Sequence, residues 1–215
     1  MEVYSTDNEQ REALRRFFVD NGKALAIGVV LGVGALVGWR YWHNHHNDAM
    51  TAASSAWQPV NTGLAGQAGQ PQLDAAQHFA DANDNNYGAL TSLGLARQYA
   101  ERGDFAAAQT HLQKALGQTR EANLQSIINL RLARVQLQQN NVDGALKTLD
   151  GVKEKGWTAL VEDTRGDAQV VKGDHQAARA AYEKALQSGA PQALQALVRM
   201  KLNNLSSLEG PHAIA

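Results

Sequence analysis

The stretch ALAIGVVLGVGALVGWRYW, which runs from Ala24 to Trp42, decides the fold of the chain. Its first sixteen residues carry no charge, and Lys23 and Arg40 bracket them. An α-helix rises ~1.5 Å per residue, so about 20 residues span the hydrocarbon core of a bilayer. The stretch reaches that length because long basic side chains at its ends can extend toward the headgroups. The sequence therefore predicts a transmembrane helix over residues 23–42.

A buried core helix and a cleaved signal peptide are the two alternatives for this apolar stretch. A core helix normally keeps one polar face, and this stretch lacks one over four turns. A signal peptide begins with a short basic region, whereas 23 residues with five acidic side chains precede this stretch. No A-x-A-like cleavage site follows it at the usual distance. An uncleaved signal anchor is the interpretation that remains.

The distribution of basic residues predicts the orientation of this anchor. Lys and Arg accumulate on the cytoplasmic side of a membrane helix, and acidic residues count for little. Four basic residues precede the apolar stretch: Arg11, Arg15, Arg16 and Lys23. After Arg40, no Lys or Arg occurs before Arg97. We therefore expect residues 1–22 to form a cytoplasmic tail and the C-terminal domain to lie across the membrane.

Small residues recur at helical spacing inside the anchor. Ala24, Gly28 and Gly32 are each four residues apart and share one helix face. Small side chains at this spacing let the backbone of a second transmembrane helix approach closely. This face is predicted to be a helix-packing surface within the membrane.

Composition limits the function of the domain that follows. The chain has 215 residues, which suffices for one tail, one anchor and one domain of ordinary size. Basic and acidic residues are nearly equal in number after residue 42, and such a neutral domain argues against nucleic acid as a ligand. The absence of cysteine excludes disulfides, thiolate nucleophiles and Cys-ligated zinc.

No catalytic motif is evident in the sequence. G-x-S-x-G and H-E-x-x-H are absent, and Gly22-Lys23 lacks the first glycine of a P-loop. His43, His45 and His46 could bind a metal weakly, but no further ligand repeats their spacing, so they are interpreted as a polar boundary of the anchor. Three isolated histidines are interpreted as surface or turn residues: His78, His111 and His175. We therefore predict no enzyme activity, cofactor, metal site or small-molecule substrate.

Residues 43–71 are predicted to form a stalk helix and a loop rich in Gly and Pro. Asp48 to Trp57 is rich in alanine and therefore helical in propensity. Pro59 and a series of glycines and a further proline are predicted to break that helix: Gly63, Gly66, Gly69 and Pro71. A short amphipathic helix, Gln72 to Ala82, follows, with one apolar side formed by Leu73, Ala76, Phe79 and Ala80.

Internal repetition dominates residues 72–205. Gly103, Asn140 and Gly173 occupy equivalent positions at offsets of 37 and 33 residues. The tetratricopeptide repeat has a period of about 34 residues and forms a helix-turn-helix. We expect these three residues to adopt the positive φ that ends the first helix of each repeat. The residue after each, Asp104, Asn141 or Asp174, is then expected to cap the second helix.

Small residues at fixed positions predict close packing within each repeat. Ala96, Ala133 and Gly166 lie on the first helices and face Ala108, Ala145 and Ala178 on the second helices. Pro191 then begins a final helix, Gln192 to Leu205, which is expected to cap the open end of the array. Its expected apolar set is Leu194, Leu197, Val198, Leu202 and Leu205. Residues 206–215 are expected to be a disordered tail. The predicted fold is all-α: one transmembrane helix followed by a tetratricopeptide-repeat-like α-solenoid.

Several segments give the chain a resemblance to a known family. They are RRFFVDNGKALAIGVVLGVGALVGWRYW at 15–42, NYGALTSLGLARQYA at 86–100, INLRLARVQLQ at 128–138, ALKTLD at 145–150 and KGDHQAARAAYEKAL at 172–186. Together they resemble the YfgM family of ancillary SecYEG translocon subunits of γ-proteobacteria. The resemblance covers nearly the whole chain and assigns no catalytic residue.

The resemblance implies a location, partners and a function. It implies a single-pass protein of the bacterial inner membrane with a cytoplasmic N-terminus and a periplasmic repeat domain. The implied partners are membrane lipid, the SecYEG translocon, the periplasmic chaperone PpiD and translocating polypeptides. The implied function is an adaptor that hands translocated proteins to periplasmic chaperones. The alternative is negative regulation of an RcsB-dependent envelope stress response, for which the cytoplasmic tail would be responsible.

Overall fold

The structure, a computed structural model, describes residues 3–209 and the side chains of residues 9–207. Its helices are α1 (Val3–Gly63), α2 (Gln70–Ala82), α3 (Asn86–Glu101), α4 (Phe105–Gln118), α5 (Ala122–Gln138), α6 (Val142–Asp150), α7 (Thr158–Lys172), α8 (His175–Gln187) and α9 (Gln192–Glu209). A short 3₁₀ turn, Lys155–Trp157, precedes α7. The described residues contain no strand, so the predicted all-α class is confirmed.

The chain divides into two compact units, residues 1–52 and residues 53–215. In the first unit, the apolar side chains of α1 have no protein surface to cover them. Val30 is 69% exposed and Leu36 is 70% exposed. Within the described part of the chain, one helix is long and apolar enough to cross a membrane, and it is this one. Its length and exposed apolar surface fit a membrane-anchored protein, because such a large apolar patch is unfavourable in water.

Pro59 does not break the helix, contrary to the expectation from the sequence. It lies inside α1, which continues to Gly63. A proline inside a helix removes one hydrogen bond and costs about 3 kcal/mol. Packing of the neighbouring side chains offsets this cost: the Trp57 ring lies 5.7 Å from the Tyr87 ring, and Val60 packs on the apolar cluster that includes Leu64.

The loop after α1 is held in place by Gln98, a buried side chain of α3. The Gln98 side-chain oxygen accepts a hydrogen bond from the Ala68 amide at 3.0 Å, and its amide group donates to the Leu64 carbonyl at 3.0 Å. Gly66, between these contacts, has a φ of 75°. The loop therefore returns the chain onto α3. The next helix, α2, begins two residues earlier than expected and buries the four residues predicted for its apolar side.

Helices α3 to α8 pack as three successive pairs: α3 with α4, α5 with α6, and α7 with α8. The turns within these pairs confirm the predicted conformations, because Gly103, Asn140 and Gly173 have φ values of 79°, 58° and 82°. The predicted caps are also confirmed. The side-chain oxygens of Asp104, Asn141 and Asp174 accept hydrogen bonds from the amides of Ala107, Gly144 and Ala177. Local turn chemistry therefore sets the repeat boundaries.

The last helix, α9, covers the end of the third pair. Val198 and Leu205 are buried against Ala178, Tyr182 and Ala185 of α8. Two features depart from the sequence analysis. Leu197, expected in the apolar set, is 40% exposed because it lies outside this contact face. Residues 206–209 were expected in a disordered tail but are helical, since α9 continues past Leu205 to Glu209. Residues 210–215 lie outside the described residues.

Candidate functional site

The predicted packing face of the anchor is exposed in the first unit. Ala24, Gly28 and Gly32 are exposed, and a Cβ atom added at either glycine would meet no described atom within 4 Å beyond its own helix. Contacts within this unit therefore do not require glycine at these positions. Their role as a helix-packing face within the membrane stays a prediction.

The six small residues predicted to pack within the repeats are all buried. Ala108, Ala133, Ala145 and Ala178 are 0% exposed, and Ala96 is 3% exposed. Ala96 shares one apolar cluster with Ala108, and Ala133 shares another with Ala145. At Gly166, a Cβ atom would lie 2.3 Å from the Tyr182 ring, so only glycine fits beneath that ring. These positions pack the two helices of each repeat against each other.

Three histidines follow the anchor and stack on aromatic rings one helical turn earlier. His43 stacks on Trp39, His45 on Tyr41 and His46 on Trp42, with ring centroids 6.4, 6.3 and 5.7 Å apart. Across the residues that the structure describes, no group of three or more His, Asp or Glu side chains is placed to hold a metal ion. The triplet therefore extends the aromatic boundary of the anchor.

His111 is buried, which corrects the expectation of a surface or turn residue. Its ring stacks on Tyr99 with a centroid distance of 5.2 Å, and its Nδ1 atom has no hydrogen-bond partner among the described residues. Burial, followed by the charge of Lys114, lowers the pKa of His111, and Asp81 opposes this shift. A neutral histidine stacked on a tyrosine ring fits a packing role.

A buried polar network joins α7, α8 and α9, and sequence reasoning did not find it. The Lys201 ammonium group lies 2.7 Å from an Asp163 oxygen and 2.8 Å from an Asp167 oxygen. The Tyr182 hydroxyl donates to Asp167 at 2.7 Å. The network holds the final helix on the third repeat.

The electrostatics of this network follow from burial. Burial raises the pKa of Asp163, and the hydrogen bond from Lys201 opposes that rise. Burial is also the largest cause that raises the pKa of Tyr182, followed by its hydrogen bond to Asp167. The tyrosine therefore remains a neutral donor. These groups are occupied by contacts between helices, which favours a structural role for them.

A second feature missed from the sequence is an apolar groove between α3 and α5. Its cavity has a volume of about 240 Å³. Four apolar residues form its floor: Ala96, Ala100, Leu112 and Val135. Three arginines line its rim: Arg97, Arg131 and Arg134. We call this feature the arginine-rimmed groove.

The three rim arginines differ in how they are held. Arg97 donates to the Leu64 carbonyl and lies 3.9 Å from Glu101. Arg131 and Arg134 make no hydrogen bond or ion pair with any side chain or backbone atom that the structure describes. Desolvation, followed by the like charges of Arg97 and Arg134, lowers the pKa of Arg131. The groove therefore combines three positively charged side chains with an apolar floor.

A signal for this groove was present in the repeat register. Arg97 follows Ala96, and Arg134 follows Ala133, so the same repeat position carries arginine twice. The third repeat carries Asp167 there instead. The register alone does not reveal an apolar floor, because that floor combines residues from three helices.

Comparison with known proteins gives consistent matches along almost the whole chain. A protein-family profile described as a tetratricopeptide repeat-like domain matches residues 15–207. The ancillary SecYEG translocon subunit of Escherichia coli (strain K12) is 50% identical over 207 residues, which cover 96% of this chain and 100% of that protein. The protein of the same name from Haemophilus influenzae is 37% identical over 205 residues, with coverage of 94% and 100%. The one from Neisseria gonorrhoeae is 23% identical over 210 residues, with coverage of 95% and 100%.

Proposed function

Because this chain belongs to the family of ancillary SecYEG translocon subunits, we propose that it is a membrane-anchored adaptor of the SecYEG translocon. The observation that carries the proposal is the extent of the similarity, which includes both the apolar helix and the repeats. A protein that shared only the repeats could bind unrelated partners, since repeat folds host many functions. Similarity through the anchor supports a shared membrane partner.

The proposed orientation places the repeat domain in the periplasm. The basic residues before the anchor support it, as does the absence of Lys and Arg from Tyr41 to Ala96. Trp39 and Trp42 fit the outer headgroup region, because aromatic rings concentrate at membrane interfaces.

The proposed activity is binding rather than catalysis. The repeat domain would contact the periplasmic chaperone PpiD and translocating polypeptides, and would pass the latter to the chaperones. Paired-helix repeats support this role because they present extended surfaces for protein ligands.

The anchor is proposed to contact the translocon laterally through Ala24, Gly28 and Gly32. Replacing Gly28 and Gly32 with Leu should weaken co-purification with SecYEG from membranes, because the backbones could no longer approach. Ala26→Leu is the matched control, since it adds bulk on the opposite side of the helix. Exchange of the whole anchor for an unrelated one should match the double glycine variant.

The same experiment separates the adaptor from the regulator. If the protein with the exchanged anchor still co-purifies with SecYEG at full yield, the repeat domain makes the contact. The glycines of the anchor then have no specific role and reflect the usual glycine content of transmembrane helices. If neither protein captures a secretion component, the adaptor proposal fails. Deletion of the cytoplasmic tail would then be decisive, because it should abolish RcsB-dependent regulation and spare a periplasmic adaptor.

A further inference from the structure

We propose that the arginine-rimmed groove binds an internal acidic segment of a partner protein, with one large apolar side chain of that segment seated on the groove floor. This inference deepens the proposed adaptor function and rests on it, because it gives the chemistry of one ligand of the repeat domain. The occupant follows from charge complementarity and from the size of the cavity.

The floor of the groove fits an apolar side chain. Leu112 is 1% exposed and Val135 is 7% exposed, so both are fixed in the core and present only their outer surfaces. Ala96 and Ala100 of α3 are small and leave the space above them open. A cavity of about 240 Å³ accommodates one large side chain rather than a folded element.

The charge of the rim favours an anionic partner. Arg131 and Arg134 lie three residues apart on α5, where like charges oppose helix formation. The helix contains no Asp or Glu that would balance them. All three arginines line the same cavity. Desolvation and the like charges of Arg97 and Arg134 lower the pKa of Arg131. Carboxylates would relieve this repulsion and match the fork geometry of arginine.

An internal acidic segment matches this rim better than a free C-terminus does. One terminal carboxylate can pair with one guanidinium fork, whereas Arg131 and Arg134 are both without an ion pair to the described residues. Several acidic side chains along one segment can meet both. A phosphate backbone would also be anionic, but it offers no apolar side chain for the floor.

The third repeat limits the length of the occupant. Asp167 replaces the arginine of the first two repeats and is held by Lys201 and Tyr182. Asp163, also on α7, is buried and paired with Lys201. Burial raises the pKa of Asp163, and the positive charge of Arg134 is only a minor opposing influence. Because these two carboxylates share the one ammonium group of Lys201, a net negative charge follows the arginines, and the acidic segment should end at the second repeat.

The test uses the full-length protein in nanodiscs and short fluorescein-labelled peptides. The first peptide has a central Leu flanked by Glu on both sides, the second replaces Glu with Gln, and the third replaces Leu with Ala. Fluorescence anisotropy should show the tightest binding for the first peptide and weaker binding at higher salt. The combined Arg131→Gln and Arg134→Gln changes should weaken it by at least about tenfold, which corresponds to the loss of one charge-assisted hydrogen bond. Arg199→Gln on α9 is the matched control and should leave binding unchanged.

A second variant tests the floor. Ala100→Leu places bulk in the groove and should weaken the first peptide while leaving the three arginines intact. The proposal is overturned if the first peptide fails to bind, if the Gln peptide binds equally well, or if the arginine changes have no effect. Tighter binding of a single-stranded oligonucleotide than of the acidic peptide would also overturn it. Co-purification of SecYEG with the arginine variants is measured in parallel, because its retention separates failure of this inference from failure of the adaptor proposal.

Discussion

Small side chains determine how closely the two helices of each repeat approach. Ala108, Ala145 and Ala178 are 0% exposed, although alanine contributes little apolar area. Their small side chains leave room for the facing helix to pack closely. Gly166 is the extreme case, because the Tyr182 ring occupies the position that a Cβ atom would need. A larger residue at any of these sites must move a helix or a ring.

Ala108→Leu tests this packing at a single residue. We expect it to lower the free energy of unfolding by ~1–3 kcal/mol, because extra methylene groups overpack a filled core. The measurement is thermal unfolding of residues 53–215 followed by circular dichroism. Ala106→Leu, an exposed position on the same helix, is the control and should leave the midpoint nearly unchanged. Equal midpoints for the two variants would contradict the packing role of Ala108.

Single elements are held by a mixture of local caps and distant polar contacts. Three helices begin with a side-chain cap, provided by Asp104, Asn141 and Asp174. Each cap accepts a hydrogen bond from the backbone amide three residues later. Lys201, in contrast, joins α9 to Asp163, which lies 38 residues earlier. A cap forms with its helix, whereas a distant pair forms only after the helices have docked. The final helix therefore depends on tertiary contacts.

Lys201→Met tests the attachment of α9 and has a defined pH dependence. At pH 7 we expect a loss of about 3 kcal/mol, the lower end for breaking a buried pair, since the Lys201 side chain is 21% exposed. Burial holds the folded-state pKa of Asp163 above its unfolded value, so ionisation of this carboxyl opposes folding. Without Lys201, that cost is fully present above the folded-state pKa. It disappears as the pH falls below the unfolded value of about 3.9, where both states are protonated.

Chemical denaturation at pH 7 and at pH 4 measures this difference. Lys172→Met is the matched control, because Lys172 and its partner Asp143 are both exposed at a separation of 3.2 Å. It should cost at most about 1 kcal/mol at either pH. A Lys201→Met loss that is equal at both pH values would contradict the role of the buried carboxylate.

At the scale of the whole molecule, the two units serve different environments. The first unit, residues 1–52, carries exposed apolar side chains that require lipid or another helix. The second, residues 53–215, buries its own apolar clusters and has a nearly balanced charge. The proposed adaptor function would use both units, the apolar helix for a contact in the membrane and the repeats for protein ligands.

The orientation of the molecule can be tested with intact spheroplasts. Protease added outside should digest the domain that follows His43 and leave the N-terminal tail protected, because the proposed orientation places the basic residues before the anchor in the cytoplasm. Antibodies against tags at the two ends report the products. Spheroplasts lysed with detergent provide the control, in which both ends become accessible. Protection of the C-terminal domain in sealed spheroplasts would reverse the proposed topology.

The sequence by itself determined the anchor, the repeat period and the turns. These features depend on local physics: an uninterrupted apolar run, residues that tolerate positive φ, and caps that reach amides three residues away. For the same reason, the ends of the first helix in each repeat, at Gly103, Asn140 and Gly173, could each be predicted from the residues next to it.

Only the tertiary structure decided the features that depend on distant residues. Pro59 stays inside α1 because Trp57 and Val60 find partners in other elements. His111 is buried beneath Tyr99, which is twelve residues earlier in the chain. The arginine-rimmed groove unites three helices, and no local pattern specifies that their apolar surfaces meet below the charges. Packing between elements sets these outcomes, since burial and desolvation act across space rather than along the sequence.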